Sequence, residues 1–216
     1  NILVPYLLDK GKTKIDLIII SHPHEDHIEG IFTVIEKLKV EKIIISKNIE
    51  DNELIIKLKE ICKKKNIGIA EVSAGNTFTI DDVYFDIIYP NIKTKEENIN
   101  NMSLVLKMKY GDITTLFTGD LEEGAENNIK QNIKADIIKV SHHGSDTSTS
   151  EKFLNKVLPK IALISVGKDN SYGHPDNEVI ERLESKNINI YRTDLEGEIN
   201  FKIYKNKIKA QKMSGE

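Results

Sequence analysis

The sequence contains one cysteine, Cys62, so no disulfide can form within the chain. It also lacks an excess of either charge: 31 Lys and Arg stand against 34 Asp and Glu, a formal net charge of -3. Such a mixed surface excludes the strongly basic footprint of a protein that holds nucleic acid by charge alone. No apolar run is long enough to span a membrane, and no secretory leader pattern is present. Internal repeats and low-complexity linkers are absent too. The chain opens on Asn1 rather than Met and reaches a histidine motif by His22, which reads as a chain missing its N-terminal part. Its 216 residues are rich in Ile and Leu and long enough to bury a substantial core, and residues 1–216 are expected to form a single domain.

Local patterning alternates strand and helix. Residues 15–21 form an apolar run suited to a buried strand, and Ile28, Ile31, Phe32, Ile35 and Leu38 then repeat at helical spacing. A short strand over 43–46 precedes a helix expected to start at an Asp51 N-cap and to run through Lys65, with Cys62 on its apolar side. Strands follow at 67–72 and 83–89. Gly111-Asp112 turns a hairpin between 103–110 and 113–118. Residues 121–132 read as helix. Strands at 135–141, 161–166 and 188–193 then alternate with helices at 150–157 and 177–185, and a last hairpin turns at Glu196-Gly197. The Lys-rich stretch 202–212 reads as a solvated strand and tail. This order predicts layered sheets with helices outside, an αββα sandwich of the α+β class.

All six histidines fall in three clusters, each just past a predicted strand. The first is Ser21-His22-Pro23-His24-Glu25-Asp26-His27. His22 and His24 sit two apart and project together from an extended loop; Asp26 and His27 are adjacent at a helix start. Two ligand pairs aimed at neighbouring points suit a site for two metal ions. The alternative is a polar turn with incidental histidines. Phe117-Thr118-Gly119-Asp120 ends a strand in a carboxylate that could bridge two metals, although Gly-Asp is also a common helix cap. His142-His143-Gly144-Ser145 offers one metal ligand and one group for substrate or proton transfer, in either order. His174, held between Gly173 and Pro175, is a candidate closing ligand.

The spacing of His22, His24, Asp26 and His27 resembles the signature of the metallo-β-lactamase superfamily, and Asp120 resembles its bridging aspartate. Asn101-x-Ser103-Leu104-Val105-Leu106, His142-His143-Gly144-Ser145, Tyr172-Gly173-His174-Pro175 and Thr193-Asp194-x-x-Gly197 are similar to the C-terminal domain of ComEC family DNA-uptake proteins. The resemblance implies a four-layer sandwich lacking its first N-terminal strands. It implies two divalent metal ions, zinc or manganese, and hydrolysis of single-stranded DNA beside a membrane channel, on the outer face of the bacterial plasma membrane. On this reading His22, His24 and Asp120 hold one metal, helped by His142, while Asp26, His27 and His174 hold the other and share Asp120. The catalytic groups are Asp26, His143 as proton donor to the leaving oxygen, and the Ser145 hydroxyl as a phosphate contact. Two departures stand out. His24 occupies a position where many ComEC domains carry Asp, and no histidine lies between His27 and His142 to supply the superfamily's middle ligand. Two other functions are consistent with the same residues: hydrolysis of another ester, lactone or amide, and a non-catalytic domain that binds metal or nucleic acid.

Overall fold

The computed structural model describes residues 2–212. Residue 1 and residues 213–216 lie outside the described residues. Strands β1 (Lys14–Ile19), β2 (Lys39–Ser46) and β3 (Gly68–Val72) form a parallel sheet in that order. Parallel strands need crossovers, and these are helices α2 (Glu25–Lys37) and α3 (Glu53–Lys65), with α1 (Leu3–Asp9) ahead of them. Ile43 and Ile45 of β2 pack with Ile28, Val34, Ile35, Ile55 and Leu58 of the helices. Ile44, on the opposite side of the strand, joins Leu17, Ile19, Ile87, Leu104 and Leu106 in a second core. Both faces of this sheet are therefore covered toward the C-terminal ends of β1 and β2, which is why residues 17–19 and 43–45 read as apolar runs rather than alternations.

The second sheet has seven strands. β4 (Thr77–Ile80), β5 (Val83–Tyr89), β6 (Val105–Tyr110) and β7 (Ile113–Phe117) form an antiparallel meander. β8 (Ile137–Lys139), β9 (Ile161–Ile164) and β10 (Asn189–Arg192) then add on parallel. Its outer face packs against α4 (Glu123–Glu126), α5 (Glu151–Val157) and α6 (Asn177–Ser185) through Ile138, Ala125, Phe153, Leu154, Val179 and Leu183. The layers run helix, sheet, sheet, helix, the expected αββα sandwich. After a short helix, α7 (Thr193–Glu196), strands β11 (Ile199–Tyr204) and β12 (Lys207–Lys212) form a separate hairpin. Among the described residues, no helix is long and apolar enough to cross a membrane.

Several local expectations are corrected. The N-cap of α3 is Asn52, whose side chain accepts from the Ile55 N–H at 2.9 Å; Asp51 instead pairs with Lys59. The expected helix over 121–132 shrinks to Glu123–Glu126, because the chain leaves it as Glu126 turns inward to other donors. The final hairpin turns between Tyr204 and Lys207, not at Glu196-Gly197, where Gly197 (φ 65°) ends α7. Helix α1 and strand β4 were not expected. Cys62 is fully buried on the apolar face of α3, and burial raises its thiol pKa, leaving it an inert core side chain.

Candidate metal centre

The site forms where the ends of β1, β7 and β8 meet. His22 and His24 lie in the loop after β1, His24 is the N-cap of α2, and Asp26 and His27 occupy its first turn. Asp120 follows β7, and His142 and His143 follow β8. One ligand atom from each of Asp26, His27, Asp120 and His143 falls within 4.8 Å of all the others. His27 Nε2 donates to Asp120 Oδ2 at 3.0 Å, and His22 Nε2 lies 3.8 Å from the same oxygen. His24 Nδ1 is 3.2 Å from His22 Nε2.

His22, His27 and His143 each have their second nitrogen engaged elsewhere, which fixes the ring and aims the first nitrogen inward. The Ser21 hydroxyl sits 3.1 Å from His22 Nδ1 and 3.2 Å from His27 Nδ1. Ser103 Oγ lies 3.2 Å from His22 Nδ1 and accepts from the Asp120 N–H at 3.0 Å. His143 Nδ1–H donates to the Ser165 carbonyl at 2.7 Å. Its Nε2 is then a bare lone pair, 3.3 Å from Asp26 Oδ2 and 3.5 Å from Asp120 Oδ2. It is buried without a hydrogen-bond partner among the described residues. A buried lone pair facing two carboxylates is the arrangement a cation resolves. The donor set of imidazoles and carboxylates therefore fits a divalent metal.

The electrostatics agree. Burial pushes the His22 pKa down to about 3, aided by the neighbouring His27, so the ring is neutral and able to coordinate. Burial opposes ionisation of Asp120, but the His27 bond and the Lys139 ammonium overcome it and hold the carboxyl below the usual carboxylate range. Lys139 Nζ donates to the Gly119 carbonyl at 2.9 Å and lies 3.5 Å from Asp120 Oδ1. One oxygen of Asp120 thus faces the lysine and the other faces the histidines.

Three further residues named from the sequence border that group rather than join it. His142 and His174 are outside the four-residue group, their rings 5.8 Å apart; His142 Nδ1 faces Glu122 at 3.6 Å, and His174 Nδ1 donates to Asp176 at 2.9 Å. His143, assigned to proton transfer, is the member of the pair that enters the group. Ser145 is 4% exposed with its hydroxyl 3.1 Å from Thr147 Oγ1, in the wall of the turn. Ser21, Ser103 and Lys139 were missed as site residues. The serines meet at Gly119: at φ 56° a Cβ there would lie 2.7 Å from Ser103 Cβ and 2.9 Å from Ser21 Cβ.

Comparison with known proteins accords with this geometry. Residues 3–148 match the family model described as a β-lactamase superfamily domain. The chain is 36% identical over 211 residues to ComE operon protein 3 of Bacillus subtilis, covering 96% of this chain and 27% of that protein. It is 30% identical over 215 residues to competence protein ComA of Neisseria gonorrhoeae, covering 98% of this chain and 28% of that protein. It thus spans under a third of the length of these relatives. Among solved structures, the diiron β-hydroxylase CmlA of Streptomyces venezuelae shares the fold, with a TM-score of 0.59 at 10% identity over 93% of this chain and 45% of that one. On the family match, the chain belongs to the metallo-β-lactamase superfamily, and nearly its whole length is similar to a part of these ComEC family proteins.

Proposed function

We propose that this chain is a metal-dependent phosphodiesterase that degrades single-stranded DNA during competence-related DNA uptake. The observation that carries the hydrolase reading is the convergence of Asp26, His27, Asp120 and His143, with the His143 Nε2 lone pair bare at its centre. DNA as substrate, a membrane channel domain as partner and the outer membrane face as location rest on the ComEC relationship. The fold alone hosts other chemistry, as the hydroxylase shows.

His27, His143, Asp26 and Asp120 would hold one ion, and His22 and His24 with Asp120 a second. Zinc and manganese both suit this donor set. Bound there, such ions supply Lewis acidity and make water acidic enough to attack phosphorus at neutral pH. The protein's own groups do the rest. Lys139 and the Asp120 N–H bond to Ser103 keep Asp120 Oδ2 toward the histidines. Asp26, the exposed carboxylate of the group, accepts the proton released as water attacks. With His143 Nδ1–H committed to Ser165, proton donation to the leaving oxygen passes to His142, which Glu122 faces. Ser145 supports the turn that carries both histidines.

The test is cleavage of single-stranded DNA by metal-stripped protein with manganese or zinc restored, beside Asp120→Asn and a set of small ester and lactone substrates. Metal-dependent strand cleavage lost in Asp120→Asn supports the reading. Hydrolysis of the small substrates alone would redirect it to another ester, and bound metal with no turnover of any substrate would favour a binding domain.

A further inference from the structure

Tyr172 is the most exposed aromatic among the described residues, at 82% of its surface, yet it is not on a loose segment. The loop that carries it is closed by Asn170. That side chain donates to the Gly167 carbonyl at 3.1 Å and the His174 carbonyl at 2.7 Å, and accepts from the His174 N–H at 3.0 Å. The Tyr172 ring lies nearly parallel to that of His174, with centroids 6.0 Å apart and planes 11° apart. His174 is itself fixed by Asp176 and stands 5.8 Å from His142. The ring is therefore fixed in a row with His174 and His142, whose ring lies 6.5 Å from that of the metal-centre residue His143, and it is backed by one histidine and open to solvent on its other side. The exposed Lys168 lies on the same loop.

We propose that Tyr172 is a stacking platform for a nucleobase of the strand being cut, so that the site recognises base-bearing polynucleotides rather than phosphodiesters at large. This rests on the nuclease reading above. An apolar ring held open to water beside a phosphodiesterase centre is what sequence-tolerant binding of single strands uses, because every base presents a π face. A cation on the same loop supplies the matching contact to the backbone. The arrangement also explains how a chain with net charge -3 could hold a polyanion: the ring contributes affinity that does not depend on a basic surface.

The chain has no tryptophan, so Tyr172→Trp introduces a single tryptophan, excited apart from the tyrosines, at the position in question. Three proteins, wild type, Tyr172→Ala and Tyr172→Trp, are compared on an oligothymidylate and on an abasic strand of equal length, each with manganese. Stacking of one base predicts a KM for oligothymidylate raised about tenfold in Tyr172→Ala. It also predicts near-wild-type KM in Tyr172→Trp, loss of the difference on the abasic strand, and quenching of the Trp emission by the oligothymidylate but not by the abasic strand. An unchanged KM in Tyr172→Ala together with an unquenched Trp, while the wild type cleaves DNA, would overturn the platform and leave the nuclease standing. Base-dependent quenching without cleavage by any of the three would do the reverse.

Discussion

Gly119→Ala is the substitution on which the architecture of the metal centre makes its sharpest demand. Gly119 has φ 56°, a conformation that penalises any side chain by roughly 1–2 kcal/mol. A Cβ there would also stand 2.7 Å from both Cβ and Oγ of Ser103 and 2.9 Å from Ser21 Cβ. Relieving such contacts in a packed interior adds about 1–3 kcal/mol. The sum, about 2–5 kcal/mol, corresponds to a fall of about 10 °C in Tm for a chain of this size. The structural consequence is specific, because the two displaced serines orient His22 and His27. Metal affinity should therefore fall together with stability. Thermal melts and metal titration of Gly119→Ala measure both, and Ser103→Gly added to it should restore part of the stability by removing the nearest clash but not the metal affinity, because the hydroxyl that orients His22 is then gone. A Gly119→Ala protein that melts within a degree of wild type and binds metal equally well would refute this account of how the rings are held.

Three further outcomes are expected. Lys139→Met keeps the length of the side chain but leaves the buried Asp120 carboxylate without its cation, and should lower unfolding free energy in urea by about 3 kcal/mol. Glu126→Ala removes the acceptor for the N–H groups of Thr149 and Ser150 and for the Ser150 hydroxyl; a loss of about 2 kcal/mol is expected, with metal binding little changed. In the metal-free protein the folded His22 binds its proton only near pH 3, whereas the unfolded residue binds it near 6.5. The unfolded state therefore takes up the proton first. The stability this group contributes is present above about pH 6.5 and is lost as pH falls toward 3, by at most about 1.4 kcal/mol for each pH unit. Urea midpoints measured from pH 7 to 5 should decline, and His22→Asn should flatten that decline.

Much of the fold could be read from apolar patterning because the C-terminal ends of β1 and β2 are covered on both faces and each helix on one. The run through Ile18 and Ile19 and the spacing of Ile28, Ile31 and Ile35 follow directly from that. Where patterning failed, side-chain polarity had been diverted. Asn52 rather than Asp51 caps α3 because Asp51 faces Lys59, and the helix after Asp120 is cut short where Glu126 turns to serve Thr149 and Ser150. The metal centre was legible as a set of histidines but not as a geometry. His142 and His143 both adopt left-handed backbone, at φ 47° and 54°, so neither strand nor helix periodicity says which ring turns inward. Ser21, Ser103 and Lys139 belong to common residue types with no spacing signature, and only their meeting in three dimensions reveals their part.

The most direct test of the central claim is anomalous diffraction from crystals of the chain loaded with manganese or zinc. The account predicts a metal peak within about 2.0–2.2 Å of the His27 and His143 Nε2 atoms and of an Asp120 oxygen. A peak away from these residues and from the His22 and His24 rings, or none from protein that binds metal in solution, would contradict it.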